Sequence, residues 1–340
     1  MPGRSSAKMT KHHNRKLILL IISLAVLLAG IIVFGVLSDR QEEKPEPKQQ
    51  SSSSFLLDRR VYNGKTYVER TGITSLLLMG IDRTDLSPVQ TGYRSGGQAD
   101  FLLLVVMDSS QRKVSLLHIN RDTMVDIVTL GILGKKVGTR NSQICLSHAY
   151  GANQLENGRN TVEAVSNLLE GIELSQFYSM NMSAMPILND ILGGVTVVIP
   201  DDYPELDESY VKGATVTMNG QQAYDFVHGR LNVGNKLNTD RMSRQRAYMD
   251  GAQTIMMKKL TSGDTDFINR MYDQLGESLT TNVTRGQMIN EAVKAAKYDI
   301  QPVQQLEGEF SMGADGHVEF HADRNWIVNW VLNTYFREDK

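Results

Sequence analysis

The chain has 340 residues, enough for one large domain or two ordinary ones, and its composition is that of a globular protein. Its 36 lysines and arginines nearly balance 38 aspartates and glutamates, which excludes a global positive field for nucleic acid, so any anion site must be local. The single cysteine, Cys145, excludes an internal disulfide.

The N-terminal region differs from the rest of the chain. Residues 17–37, LILLIISLAVLLAGIIVFGVL, carry no charge, and roughly 20 apolar residues span the hydrocarbon of a bilayer. The preceding residues 1–16 contain lysines and arginines but no acid, a bias that predicts a cytoplasmic tail. We therefore expect one transmembrane helix and an exported remainder. A cleaved secretory signal is the alternative, although its apolar region would be shorter.

Residues 38–70 follow the predicted helix. They are polar and contain Pro45, Pro47 and a run of serines, and such a segment has too little apolar surface to form a core. We interpret them as an extracellular linker and expect the exported domain to occupy residues 71–340. An exported domain without disulfides fits a Gram-positive-type bacterium with a single membrane.

The exported part alternates short apolar runs with helical patterns. ITSLLLMGID, ADFLLLVVMDSS and KVSLLHINRD predict strands buried on both faces, and the last two are joined by a hairpin turn. Helices are predicted over NTVEAVSNLLEG, with Asn160 as N-cap and Gly171 as the stop, over SAMPILNDILGG and NGQQAYDFVHGR, and from about Asn238 to Leu260. A strand and a closing helix are expected near the C-terminus. This order predicts an α/β domain whose sheet is covered on both faces.

A basic cluster follows His228. The sequence between His228 and Met249 contains four arginines but a single carboxylate, Asp240; the arginines are Arg230, Arg241, Arg244 and Arg246. On the fourth predicted helix, Gln245 falls within the apolar stripe and Arg241 on its edge. Free N–H groups and the dipole of the first turns favour an anion there, and guanidinium groups bind phosphate oxygens in pairs. The pattern indicates a phosphate site; a helix end with surface arginines is the alternative.

A second set of charged residues lies at strand ends. Asp82 follows the first strand, Asp100 opens the second, and Arg121 with Asp122 follows the third. If the first two strands are antiparallel, Asp82 and Asp100 converge. Two carboxylates with open positions suit Mg²⁺, which takes phosphate oxygens as further ligands. The alternative is that both aspartates only cap turns.

These segments together resemble the LytR–CpsA–Psr family of membrane-anchored bacterial cell-wall phosphotransferases. The resemblance rests on LLLMGIDR, QADFLLLVVMD, VSLLHINRDTMVDI, SHAYGAN, ILNDILGGVTVVIP, MNGQQAYDFVHGR and RMSRQRAYM, in the family's order from about residue 73 to 250. It implies a three-layer α/β/α domain with a central mixed sheet. It also implies an enzyme that moves a glycopolymer from a polyprenyl-pyrophosphate carrier onto peptidoglycan through a phosphodiester bond.

The resemblance also assigns site residues by position. Asp82 and Asp100 match the acids that hold Mg²⁺, and Asp100, or alternatively Asp122, is expected to take the acceptor's proton. Arg121 matches the arginine of the family's PRD segment and is expected to be catalytic as well as to bind the pyrophosphate. The other expected pyrophosphate contacts are Arg83, His228 and Arg230 (the VRxR segment), and Arg241, Arg244 and Gln245 (the GRxxRQ segment).

Four positions depart from the family's pattern. His228 stands where the first arginine of VRxR is expected, Asn120 replaces a proline, Phe101 a threonine and Asp240 a glycine. A neutral imidazole donates one hydrogen bond, and its protonated form also supplies charge. We expect the other three changes to adjust only the local backbone.

Two other functions would use the same residues. One is a non-catalytic binder or regulator of lipid-linked wall precursors, and the other is a polyprenyl-pyrophosphate hydrolase with water as acceptor. The expected partners are the lipid-linked glycopolymer, peptidoglycan and the membrane. The polymer, whether teichoic acid or capsule, is not specified by the sequence.

Overall fold

The computed structural model describes most of the chain beyond the linker. The described residues are 59–83, 96–131, 135–229, 233–234, 238–261, 270, 273–284, 287, 291, 294–295 and 297–339. The predicted transmembrane helix, residues 17–37, lies outside them, as does Arg230. Within these residues no helix combines the length and apolar character that a bilayer span requires.

Strands and helices alternate along the described chain. The first half contains β1 (Arg59–Tyr62), β2 (Lys65–Glu69), β3 (Ile73–Asp82), β4 (Gln98–Asp108), β5 (Lys113–Ile119), β6 (Met124–Leu130), β7 (Lys136–Gln143), α1 (Gln154–Leu168), β8 (Gln176–Asn181) and α2 (Met185–Leu192). The second half contains β9 (Val195–Val198), β10 (Thr215–Met218), α3 (Gly220–His228), α4 (Asn238–Thr261), β11 (Leu279–Thr281), β12 (Asp299–Gln305), β13 (Gly308–Met312), β14 (Val318–Ala322), α5 (Arg324–Tyr335) and β15 (Phe336–Glu338).

A six-stranded mixed sheet forms the centre of the domain, in the order β11-β8-β3-β4-β5-β12. β3, β4 and β5 are antiparallel neighbours, whereas β8 runs parallel to β3 and β12 parallel to β5. The three predicted strands are confirmed, including the hairpin between β4 and β5. Most positions of β3 and β4 are buried, as their continuous apolar runs indicated.

Two hydrophobic cores cover the faces of this sheet. Leu76 and Leu78 point into the core that α2, α3 and α4 complete, and Leu77 and Met79 point into the core that α1 and α5 complete. Successive side chains of a strand point to opposite faces, so β3 contributes alternately to both cores. The three-layer arrangement expected from the resemblance is therefore present.

The helix predictions hold with one correction. α2, α3 and α4 coincide with the predicted segments, and Asn219 caps α3 in a reciprocal capping box with Gln222. α1 begins at Gln154, earlier than predicted, because Asn153 is its N-cap and accepts from the backbone N–H of Glu156 at 2.9 Å. Asn160 is therefore inside the helix, and its side chain donates to the carbonyl of Tyr150.

The folded part begins with β1 at Arg59, before the predicted start of the domain at residue 71. β1 and β2 form a hairpin, and β2 also pairs with the C-terminal strand β15. The backbone N–H of Arg70 donates to the carbonyl of Tyr335 at 2.7 Å. The chain thus enters the domain beside its own C-terminal end.

Two further hairpins border one end of the central sheet. β6 pairs with β7, and β13 pairs with β14. The second hairpin is joined to the segment after β5, because the backbone N–H of Phe320 donates to the carbonyl of Asp122 at 2.9 Å and Thr123 forms a β-bridge with Phe320. The predicted C-terminal strand and helix, β14 and α5, are confirmed and pack on the same core.

Candidate active site

Asp82 and Asp100 lie at the same end of the sheet because β3 and β4 are antiparallel. Asp82 pairs with Gln98 in the strand register, and Asp100 follows two residues later on the same face as Gln98. Glycine is needed at Gly97, just before β4, because its φ of +77° is in the left-handed region and a Cβ there would stand only 2.6 Å from Cγ of Arg83. The predicted convergence of the two carboxylates is therefore present, and neither of them merely caps a turn.

Arg121 reaches these acids from the end of β5. One terminal nitrogen donates to Oδ1 of Asp100 and the other to Oε1 of Gln98. Its Nε lies 3.4 Å from Oδ1 of Asp122. The Arg121 side chain is buried, so these contacts lie largely out of solvent. The sequence holds one signal for Gln98, because its position two residues before Asp100 on a strand indicates a shared face.

Arg241 reaches the same carboxylate from α4. Its Nη1 donates to Oδ2 of Asp100 at 2.7 Å, and its Nη2 donates to Oδ1 of Asn238 at 2.8 Å. The residue is only 2% exposed, which rules out a surface arginine at this position. Each oxygen of Asp100 therefore accepts from a different guanidinium group.

His228 completes the cluster from the end of α3. Its Nε2 donates to Oδ1 of Asp82 at 3.1 Å, and its ring stacks on Tyr224 with 4.9 Å between centroids. This hydrogen bond lowers the pKa of Asp82 against the opposing effect of partial burial, and the positive charges of Arg121 and Arg241 lower it further. Asp82 is thus held as a carboxylate.

The donor set fits a magnesium ion. Ligand atoms of Asp82, Asp100 and His228 all lie within 4.8 Å of one another. Mg²⁺ is typically held by one or two carboxylates, with waters and phosphate oxygens as its remaining ligands. Two carboxylates, one of them kept ionised by its neighbours, match that requirement; the imidazole is bonded to Asp82 and is the less suitable ligand.

Arg244 and Gln245 have other partners. Arg244 donates to the carbonyls of Phe226 and Gly229, and Nε2 of Gln245 donates to the carbonyl of Val227 at 3.2 Å. These are the carbonyls at the C-terminal end of α3, which have no partner within the helix. The structure therefore does not bring Arg244 and Gln245 to the cluster; it uses them to fix the end of the helix that carries His228.

Arg83 and Asp122 occupy buried positions beside the cluster. Arg83 is buried behind Gly97, and its charge acts on His148. Asp122 is 1% exposed and accepts from Nε2 of Gln143 at 3.3 Å, so Asp100 is the better placed of the two candidate bases. Arg230 lies outside the described residues.

A cleft of about 780 Å³ opens over the cluster. At one end it is lined by Asp82, Gln98, Asp100, Arg121, His228 and Arg241. The hairpins β6–β7 and β13–β14 supply its other walls, among them Arg140, Asn141, Ser142, Gln143, Asp315, His317 and Glu319. Asp315 and Gly316 are a local turn signal for the C-terminal hairpin, but its place at the cleft depends on a contact between distant segments.

The chain matches known proteins over most of its length. Residues 33–329 match the LytR_cpsA_psr family. The polyisoprenyl-teichoic acid–peptidoglycan teichoic acid transferase TagU of Bacillus licheniformis is 27% identical over 210 residues, which cover 62% of this chain and 60% of TagU. The chain therefore spans about 60% of the length of that curated relative.

Solved structures share the fold. TagV of Bacillus subtilis has a TM-score of 0.56 at 19% identity, covering 78% of this chain and 98% of TagV. TagT bound to LI-WTA has a TM-score of 0.56 at 20% identity, covering 78% of this chain and 91% of TagT. Because the family match extends over residues 33–329, the chain belongs to the LytR_cpsA_psr family.

Proposed function

We propose that this chain is a phosphotransferase that moves a glycopolymer from a polyprenyl-pyrophosphate carrier onto peptidoglycan. The observation that carries the proposal is the meeting of Asp82, Asp100, Arg121 and Arg241 at one end of a cleft, from four separate segments. Paired guanidinium groups bind phosphate oxygens, and carboxylates hold the metal that accompanies them. The name of the related TagU, a teichoic acid transferase, favours teichoic acid as the polymer.

The two arginines supply the charge that a diphosphate requires. In the proposed complex, the N–H groups of Arg121 and Arg241 that donate to Asp100 donate to diphosphate oxygens instead. The oxygens of Asp100 are then available to the metal and to the acceptor. Because both guanidinium groups are already buried and oriented by Asp100, Gln98 and Asn238, little reorganisation is needed. His228 donates one hydrogen bond where the family pattern has an arginine.

The reaction is a displacement at the phosphorus that bears the glycopolymer. An acceptor hydroxyl oxygen of peptidoglycan forms the new P–O bond, the bond to the bridging diphosphate oxygen breaks, and polyprenyl monophosphate leaves. Asp100 takes the hydroxyl proton, and Arg121 and Arg241 stabilise charge on the transferring group. Phosphoryl transfer depends mainly on such positioning and electrostatic stabilisation.

Mg²⁺ is part of the proposal. Asp82 and Asp100 would hold it, and it would neutralise charge that develops on the bridging oxygen. The low pKa of Asp82 favours this role, since a metal binds the ionised carboxylate.

We also propose that residues 17–37 anchor the enzyme, with residues 1–16 in the cytoplasm and the domain at the outer face of the cell membrane. The uncharged run and the basic residues before it support this topology. Protease added to intact spheroplasts should then digest the domain and spare an epitope tag at the N-terminus. Digestion of the tag with protection of the domain would contradict the topology.

The proposed reaction is tested with the full-length chain in detergent, a lipid-diphosphate-linked glycan, peptidoglycan fragments, and either Mg²⁺ or a chelator. We expect a glycan–peptidoglycan phosphodiester that forms only with Mg²⁺. Arg121→Ala should lower the rate by about 10²–10³, as removal of one stabilising donor typically does. Arg159→Ala, an exposed arginine on α1, is the matched control and should leave the rate unchanged.

The product distinguishes the proposal from its alternatives. Released glycan phosphate without ligation would indicate a hydrolase. Bound but unaltered lipid would indicate a binder. Full transfer activity in Arg121→Ala would remove the site assignment even if the reaction itself occurs.

A further inference from the structure

A second concave surface lies between α5 and β12, the edge strand of the central sheet. It is a groove of about 420 Å³. The residues that line it include Lys113, Ser115, Gln304, Trp326, Asn329, Trp330 and Asn333. Ser115 is near the start of β5 and Arg121 just past its end, so at about 3.3 Å per residue the groove and the active-site cleft are about 20 Å apart.

Both tryptophans of the chain lie in this groove. Trp326, Asn329, Trp330 and Asn333 are spaced i, i+3, i+4 and i+7, and therefore share one face of α5. A helix face with this spacing is normally apolar and buried in a core. Here indole rings alternate with carboxamides, and Asn329 and Asn333 are exposed.

The groove is partly organised in advance. Trp330 is 5% exposed, and its Nε1 donates to Oε1 of Gln304 at 2.8 Å, which leaves the amino group of that carboxamide as a donor. Trp326 is half-buried, and among the described residues its indole N–H has no protein acceptor. Trp330 belongs to the second core and Trp326 packs against it, and the part of Trp326 that stays exposed, with its available N–H, is suited to binding.

We propose that this groove binds a sparsely charged, N-acetylated glycan strand. The carboxamides and hydroxyl groups of the lining provide both donors and acceptors, which suits sugar hydroxyl and N-acetyl groups. The face of Trp326 suits the C–H face of a pyranose ring. Among the described residues, Lys113 is the one charged side chain of the lining, and it pairs with an occasional carboxylate on the strand. A polymer with a phosphate in each repeat would require several cations.

The identification of this strand as the peptidoglycan acceptor rests on the proposed function, whereas glycan binding by the groove does not. An acceptor held at the groove and the cleft together engages two sites about 20 Å apart along β5. The second contact is then intramolecular, which raises the local concentration of acceptor hydroxyls at Asp100.

The proposal is tested by titrating the full-length chain in detergent with a β-1,4-linked tetramer of N-acetylglucosamine, followed by calorimetry. Trp326→Ala should weaken binding at least tenfold, and Trp326→Phe, which keeps a smaller ring, by less. Asn333→Ala should weaken binding several-fold and serves if Trp326→Ala folds poorly, because Asn333 is exposed. Asn325→Ala, an exposed asparagine of α5 outside the groove, is the matched control and should bind as the wild type does.

Transfer to a short soluble acceptor is measured on the same preparations. If Trp326→Ala transfers to the short acceptor at the wild-type rate but binds the tetramer more weakly, the groove is a glycan site separate from the chemistry. If the wild type binds the tetramer through Trp326 but transfers nothing, the proposed function fails and the groove assignment stands. Unchanged tetramer binding in both Trp326→Ala and Asn333→Ala would overturn the inference, as would tighter binding of a glycerol-phosphate polymer than of the tetramer.

Discussion

Asp100 is a buried carboxylate shared by two buried guanidinium groups. Removing such charges from water costs several kcal/mol for each ion, and hydrophobic residues of similar volume are often at least as stable there. The trio is therefore poorly explained by stability. It holds Arg121 and Arg241 with their N–H donors oriented around one point, which is what binding a diphosphate requires.

His148 gives the domain a pH-dependent stability. Its Nδ1 donates to the carbonyl of Gly96 at 2.9 Å and its Nε2 accepts from Oγ of Ser179 at 3.0 Å, and burial lowers its pKa to about 4. The unfolded chain takes up a proton near pH 6.5 and the folded chain only near 4, so the free energy of unfolding should decrease as pH falls between these values. The decrease is at most about 1.4 kcal/mol per pH unit from this group.

Urea unfolding at pH 7.5 and pH 5.0 checks this expectation. His148→Gln should be less stable than the wild type at pH 7.5 because it fits the two hydrogen bonds less well, yet it should lose less stability on acidification. His317→Gln, at an exposed histidine, is the control and should show the wild-type loss. An equal acid-induced loss in His148→Gln and the wild type would contradict the assignment.

At the scale of elements, α4 fixes the end of α3. Arg244 donates to the carbonyls of Phe226 and Gly229, and its Nε lies 3.5 Å from Oδ2 of Asp240. Arg244→Met would leave these carbonyls without that donor and Asp240 without its charge partner. We expect a loss of about 3 kcal/mol in the free energy of unfolding. Arg246→Met, at a half-buried arginine of the same helix, should cost clearly less.

The same pair of variants separates a structural role from ligand binding. Per folded molecule, Arg244→Met should keep most of its affinity for a soluble diphosphate, whereas Arg241→Met should lose affinity about tenfold or more through a missing charged contact. Equilibrium dialysis at a temperature where both variants are folded measures this. If Arg244→Met lost affinity as strongly as Arg241→Met, Arg244 would be a direct contact, as the resemblance implied.

The C-terminal hairpin supports the segment that carries Arg121. Nε2 of Gln143 donates to the carbonyl of Val318 at 2.7 Å and to Oδ1 of Asp122 at 3.3 Å. Gln143→Ala should let this segment shift, and we expect kcat to fall about tenfold or more with a smaller change in KM, because small misplacements of catalytic groups reduce the rate strongly. Thr139→Ala, at an exposed position of β7, is the matched control. An equal effect of both changes on kcat would argue against support by Gln143.

The sequence determined some of these features more clearly than others. β3, β4 and β5 were predictable because strands buried on both faces have continuous apolar runs, and Arg241 was predictable from its place at the edge of an apolar stripe. The contacts of Arg244 were not predictable, because its partners are backbone carbonyls of another helix, which no side-chain pattern reveals. The β1–β2 hairpin did have a signal: Asn63 and Gly64, with φ of 49° and 76°, form the Asn-Gly turn that favours hairpins.

For the whole molecule, the family motifs at residues 73–250 do not make a complete domain. β12 pairs with β5 and closes one edge of the central sheet. α5 closes the second core with the buried side chains of Ile327, Trp330, Val331, Leu332 and Tyr335. β15 then pairs with β2, so both ends of the domain depend on the same C-terminal segment.

This dependence predicts that a stop codon after Thr261 prevents folding. Full burial of one large apolar side chain contributes about 1.5–3 kcal/mol, so losing the five from α5 is comparable with the ~5–15 kcal/mol net stability of a whole domain. We expect residues 59–261 to show no cooperative thermal transition by near-ultraviolet circular dichroism. A stop after Tyr335 removes β15, its pairing with β2 and the buried side chain of Phe336, and this version should melt cooperatively at a lower temperature. A cooperative transition in residues 59–261 would show that the motif region folds alone and that the C-terminal segment is an addition to a finished core.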